Sequence, residues 1–141
     1  MPREALPSAL KYARILVLIE LTRFAGLYLF SGIQSGLLQP TAGLFAVGDG
    51  LAGLTAIPVW YLLGKPGTRR YGLAMAWVTF GVVDLVYALI DGVLSGQLGA
   101  ISTLFGAGIV LVPINVVVQL VTLGLLLSKS ASAYMSTSRT T

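Results

Sequence analysis

The sequence predicts an all-α integral membrane protein, a four-helix bundle in up-down-up-down order with both termini cytoplasmic. Three observations carry this expectation. The first is composition: 56% of the 141 residues are hydrophobic and 10% are charged, with a mean hydropathy of +0.89, whereas ordinary soluble domains are about 25% charged. Nine basic and five acidic side chains cannot cover a water-facing surface, so the solvent is lipid. The second is four continuous apolar stretches, each meeting the about 20 residues a helix needs to cross a bilayer. Continuous runs also exclude the alternating pattern of a membrane β-barrel. The third is the one-sided placement of Lys and Arg.

Span one runs from about Leu10 to Leu38, longer than one crossing needs. It carries Glu20 and Arg23 in its middle and lacks a small-residue cleavage site, so it reads as a span and not as a signal peptide. Span two runs from about Leu44 to Leu63, span three from Tyr71 to about Leu94, and span four from about Leu104 to Ser128. Pro58 and Pro113 are expected to kink spans two and four, because proline removes a helical donor and crowds the preceding turn. Small residues at helical spacing are expected to bring helices close: Gly32 with Gly36, Ala46 with Gly50, Gly53 with Ala56, and Gly81 with Ala88. Residues 1–129 thus form one transmembrane domain, and the Ser/Thr-rich residues 130–141 a flexible tail.

Orientation follows from the connections. Arg3, Lys11 and Arg14 precede span one; Lys65, Arg69 and Arg70 lie between spans two and three; Lys129 and Arg139 follow span four. Connections 39–43 and 95–102 contain no Lys or Arg. By the positive-inside rule the basic side is cytoplasmic. Trp60, Tyr61 and Tyr71, beside the basic turn, suit the aromatic belt at a membrane interface.

The chain has no cysteine and no histidine. That excludes thiol redox chemistry, iron–sulfur clusters, Cys or His zinc sites, His-ligated haem and His-based triads. No cofactor and no metal is expected. The basic residues flank the apolar runs, so the net charge of +4 marks topology and no nucleic-acid partner is expected. An enzyme is the least favoured class, since it would depend on a carboxylate base, for which Asp49 is the best candidate.

Ionisable groups inside spans are expensive and default to functional candidates. Here they are Glu20, Arg23, Asp49 and Asp84, with Asp91 nearer a span end, and Asn115 and Gln119 join them as polar residues of span four. Glu20 and Arg23 are three apart and share a helix face; Asn115, Gln119 and Thr122 share another. At about 1.5 Å per residue, Arg23 comes near mid-membrane, with Asn115 and Gln119 near its depth and Asp49 and Asp84 toward the outer side. The candidate ligand- or ion-binding residues are therefore Asp49, Asp84, Glu20, Arg23, Asn115 and Gln119. Arginine does not deprotonate, so it pairs with one or two of the carboxylates Glu20, Asp49 and Asp84 and leaves at least one over. Asp84 is expected to be that one, neutral and hydrogen-bonded or holding a cation. Equally open at this point is a purely structural cluster that locks helix register.

Gly48–Asp49–Gly50 in span two, Trp77 followed by Gly81 and Asp84–Leu85 in span three, and Pro113 followed by Gln119–Leu120 in span four form a pattern. Through these residues the chain resembles a group of small uncharacterised prokaryotic four-span membrane proteins, with Gly-Asp in span two, Trp-Asn…Gly-x-x-Asp-Leu in span three and Pro…His-Leu in span four. The resemblance covers about Gly48 to Leu120. Val78 stands where that pattern has Asn, and Gln119 where it has His. The resemblance implies a prokaryotic cell membrane and makes Asp49 and Asp84 motif positions; it implies no activity. The one-sided basic residues set the chain apart from small multidrug exporters and fluoride channels, many of which insert in both orientations.

The leading expectation is a membrane protein that handles a small solute, a cation or a proton through the carboxylate/Arg cluster. The alternative is a non-catalytic accessory subunit of a larger membrane complex. Its partners are the lipid bilayer and either further copies of itself or other chains.

Overall fold

The structure, a computed structural model, describes residues 5–106 and 110–136. Among the described residues all regular structure is helical. The elements are α1 (Ser8–Ile19), a 3-10 helix (Glu20–Tyr28), α2 (Leu29–Gln34), α3 (Ala42–Leu62), α4 (Thr68–Leu94), α5 (Leu98–Phe105), α6 (Leu111–Leu126) and α7 (Lys129–Ser136). Three helical stretches are long and apolar enough to cross a membrane: Ser8–Gln34, Ala42–Leu62 and Thr68–Leu94. A fourth is reached if Leu111–Leu126 and Lys129–Ser136, bent by 63° at their junction, count as one span.

The first stretch is helical throughout but tightens in its middle. A 3-10 helix turns every three residues, so positions i and i+3 eclipse. Glu20, Arg23, Gly26, Leu29 and Gly32 follow one another at that spacing and all are buried. In α1 the buried positions Leu10, Ala13 and Val17 keep the ordinary helical spacing. The tighter winding puts both charged groups on one stripe, from which Arg23 reaches α3, the element against which the 3-10 helix packs, and Glu20 meets α6.

Around the rest of the molecule α1 packs on α6 and α3, α3 on α4, and α4 on α6. Two apolar clusters form. One gathers Leu10, Val17, Val59, Val78 and Leu126, and the other Leu29, Leu38, Ala42 and Phe45. Along the chain the charged residues fall between these two clusters. At Gly53 a Cβ would lie 3.2 Å from the backbone nitrogen of Phe24, so that glycine does permit close helix approach. Gly36, expected to do the same, instead takes φ 74° and turns the chain out of α2, with nothing near its missing Cβ.

Three expectations for the second half change. Span four does not run unbroken from Leu104: α5 ends at Phe105, and Gly106 adopts φ 52°, which breaks the helix. Residues 107–109 lie outside the described residues. Pro113 is the third residue of α6, in the first turn, where no intrahelical donor is required, so it starts the helix and does not kink it. Pro58 does lie inside α3. The segment after Lys129, expected as a flexible tail, holds α7. Its Ala131 and Met135, one turn apart, are fully buried, and the Gly67 N–H donates to the Met135 carbonyl at 2.9 Å. Residues 137–141 of the expected tail lie outside the described residues.

Each end of the molecule has its own fastening. At one, the Arg14 Nε donates to the Trp60 carbonyl at 3.1 Å and its guanidinium lies 3.9 Å from the centre of the Trp60 ring. The Tyr71 hydroxyl donates to the Leu126 carbonyl at 2.9 Å. Lys65, Arg69, Arg70 and Lys129 follow in the adjoining turns; Arg3 and Arg139 lie outside the described residues. At the other end, Gln97 Oε1 accepts from the Gln39 N–H at 2.8 Å while its Nε2 donates to Ser95 Oγ at 3.0 Å.

Candidate functional site

Arg23 is the hub of the charged layer, and it is 2% exposed. A guanidinium offers five N–H donors in a rigid planar fork, so it can serve several carboxylates at once. Its Nε donates to Asp49 Oδ1 at 2.7 Å. Its Nη2 donates to Asp84 Oδ2 in a short ion pair. Its Nη1 faces Glu20 Oε2 on its own helix at 3.6 Å, an ion pair without a hydrogen bond. One arginine of the 3-10 helix thus ties α3 and α4 to span one.

The approach of these side chains requires missing ones. A Cβ at Gly26 would sit 2.7 Å from Cγ of Asp49. A Cβ at Gly48 would sit 2.7 Å from Cγ of Asp84, and one at Gly81 would sit 2.8 Å from Cδ of Gln119 and 3.2 Å from Arg23 Nη1. Each polar side chain therefore fills the socket of a glycine on the preceding span: Asp49 of α3 on Gly26, Asp84 of α4 on Gly48, Gln119 of α6 on Gly81. This gives Gly48–Asp49 and Gly81-x-x-Asp84 a physical meaning. In each motif the glycine receives one polar side chain, and the aspartate is delivered to another glycine.

The inner half of the layer is fully enclosed. Glu20 and Gln119 are 1% and 0% exposed, and Gln119 Nε2 donates to Glu20 Oε2 at 2.8 Å. Among the described residues three buried polar side-chain atoms have no hydrogen-bond partner: Glu20 Oε1, Gln119 Oε1 and Arg23 Nη1. The outer half is more open, since the side chains of Asp49 and Asp84 are 21% and 13% exposed.

Five of the six candidate residues come together: Glu20, Arg23, Asp49, Asp84 and Gln119. Asn115 stands one step away, accepting at Oδ1 from the Thr22 hydroxyl at 3.3 Å. Asp91 lies two turns beyond Asp84, at the end of α4, where its backbone carbonyl accepts from Ser95. The expectation that Asp84 is the carboxylate left over is reversed, because Asp84 is a direct partner of Arg23. The glycine sockets let both aspartates reach the guanidinium, whereas Glu20 meets it only at the looser i, i+3 geometry. Glu20 is the one of the three carboxylates that Arg23 does not hydrogen-bond. Gly26, Thr22 and Gln97 carry no signal in their side-chain chemistry, and Gly48 stands out in the sequence only as the neighbour of Asp49. The period of three through Glu20, Arg23 and Gly26 is the signal that reveals Gly26.

If all three carboxylates ionise, the layer carries two more negative charges than positive ones. A site of that balance, with one half accessible and the other enclosed, can bind and release a positive species. Among the described residues no group of three or more metal-ligating side chains stands close enough to hold a metal ion.

Residues 1–127 match the model of an uncharacterised family, Domain of unknown function (DUF8737). No curated protein and no solved structure matches the chain at a significant level.

Proposed function

We propose, for a chain that belongs to the DUF8737 family, that it is an integral protein of a prokaryotic cell membrane that takes up a small cation or proton at the charged layer. Four spans cross the bilayer in this reading, with both termini on the cytoplasmic side. The basic residues support that sidedness: Lys11, Arg14, Lys65, Arg69, Arg70 and Lys129 fall on one side, and the Gln39 and Gln97 connections carry none. The short α6 spans together with its neighbours, and α7 lies at the cytoplasmic interface.

One observation carries the functional reading. Three carboxylates gather on one arginine inside the apolar part of the molecule, so their negative charges, when all are ionised, exceed its single positive charge by two. Burying an ion without compensation is costly, and the cheapest remedy is an exchangeable positive species. A cluster meant only to hold helices together needs no third carboxylate.

The full chain reconstituted in liposomes tests this, with an internal pH dye for protons and radiolabelled sodium and potassium for cations. Wild-type protein is expected to pass or accumulate one of these above protein-free vesicles, and the Asp49→Asn/Asp84→Asn double variant to lose that activity, because Arg23 then collapses onto Glu20. Equal signals from wild type and empty vesicles for all three probes would overturn the reading.

A further inference from the structure

The enclosed half of the layer identifies the species more closely. Glu20 and Gln119 already share one hydrogen bond, from Nε2 to Oε2 at 2.8 Å. The other oxygen of each, Glu20 Oε1 and Gln119 Oε1, is buried and unpartnered. The third such atom, Arg23 Nη1, is a donor, but it stands 3.6 Å from Glu20 Oε2 without bonding it, so both oxygens are left without a hydrogen. A carboxylic acid and a carboxamide pair through two parallel bonds, N–H to one carboxyl oxygen and the acid O–H to the amide oxygen. The bond already present matches the first of these, and a proton on Glu20 Oε1 would supply the hydrogen that the second requires.

We infer that Glu20 and Gln119 form a proton-binding site, in which a proton from water adds to Glu20 Oε1 and the resulting O–H donates to Gln119 Oε1. The step forms one O–H bond, neutralises one carboxylate and alters nothing in Gln119, which acts as a positioning residue. This deepens the proposed function and rests on it: the exchangeable cation is a proton, and it is held at Glu20 and not at the aspartates.

The surroundings favour a proton over a metal cation. From its own helix Glu20 faces the Arg23 guanidinium; from α3 and α4 come Asp49 and Asp84, both committed to Arg23; from α6 comes the neutral Gln119, with Asn115 turned to Thr22. A metal ion at Glu20 would sit beside a fixed guanidinium, which repels it, and would find one carboxylate and one amide oxygen. A proton needs only the oxygen it binds and the acceptor opposite. Protonation also leaves the layer with Asp49 and Asp84 against Arg23, one charge closer to balance.

Infrared spectroscopy of the full chain in lipid nanodiscs tests the site. Glu4 and Glu20 are the only glutamates, so in a Glu4→Gln background isotope-labelled glutamate reports on Glu20 alone. The expected result is a carboxylic C=O band that shifts with the label and disappears as pH rises. Gln119→Leu should move that band to higher frequency, as for an acid without its acceptor, and displace its titration midpoint. Asp91→Asn, two turns beyond the cluster, should leave the label-sensitive band in place. No label-sensitive carboxylic band at any pH would overturn the assignment, as would a band that never titrates or one that Gln119→Leu leaves unmoved. The liposome measurement separates the two failures: if flux persists while the Glu20 band is missing, this assignment falls and the cation reading stands.

Discussion

Gly48 is the floor on which Asp84 rests: a Cβ at residue 48 would lie 2.7 Å from the Asp84 carboxyl carbon. The relationship joins α3 to α4 at the depth of Arg23, and it is repeated by Gly26 with Asp49 and by Gly81 with Gln119. The layer is therefore assembled by removal. Three glycines leave space, three polar side chains from the next span fill it, and the arginine is held by what arrives.

Gly48→Ala should displace Asp84 from Arg23 and lower stability. Overpacking a filled site costs about 1–3 kcal/mol, and weakening a buried ion pair adds to it. Gly72→Ala in α4 and Gly124→Ala in α6 are the controls, because nothing lies within 4 Å of either missing Cβ. There the helix preference of alanine should act alone and stabilise by up to about 1 kcal/mol. Thermal unfolding in mild detergent reads both signs. Equal effects at positions 48 and 72 would refute the socket.

Gln97→Ala should loosen the end of the molecule opposite the basic turns. The side chain is 7% exposed and holds the Gln39 N–H. Losing such a bond costs about 0.5–1.5 kcal/mol, and the loss is local. Hydrogen exchange at the Gln39 amide should accelerate several-fold, while amides of the Leu10–Val17 stretch keep their protection. Unchanged exchange at Gln39 would show that the latch does not form.

The apolar runs of spans one to three are legible because each is long, continuous and bounded by turn residues, and the helices Ser8–Gln34, Ala42–Leu62 and Thr68–Leu94 follow them closely. Convergence of Arg23 with Asp49 and Asp84 is also legible, from depth and charge balance. Which carboxylate is left over is not, because that depends on helix rotation. Tightening span one by a fraction of a residue per turn decides whether Arg23 faces α3, and no hydropathy run records it. Gly106 ends α5 inside an apolar run that reads as one span. Serines and threonines hide α7, although Ala131 and Met135 already stand one helical turn apart. Gln97 carries no signal at all, being an uncharged residue in a polar connection.

A reporter fused to the C-terminus tests the sidedness. Eight of the nine basic residues lie in the terminal segments and the one connection that the proposed topology puts on a single side, and Arg23 is the ninth. Since Lys and Arg near span ends set orientation, a fluorescent protein fused after Thr141 should fold and glow, and alkaline phosphatase there should be silent. The opposite pattern would invert the topology and turn the accessible aspartates toward the cytoplasm. Moving the basic turn tests the cause. Replacing Lys65, Arg69 and Arg70 with glutamine should produce mixed orientation, because fewer charges then hold that turn inside.

Arg23 should be the most costly single residue to remove. Arg23→Gln leaves Asp49 and Asp84 facing one another without a cation, and breaking a buried pair from one side costs about 3–5 kcal/mol. Arg23→Lys should recover little, because one ammonium is a point donor and cannot span two carboxylates as the planar fork does. The decisive variant is the triple, Arg23→Gln with Asp49→Asn and Asp84→Asn. It removes both signs of charge while keeping size, so no uncompensated ion remains. Groups that touch are non-additive, and the triple should therefore unfold at a higher temperature than Arg23→Gln alone despite two further substitutions. If instead each aspartate substitution lowers stability further, the carboxylates have partners other than Arg23, and the layer is not organised around it.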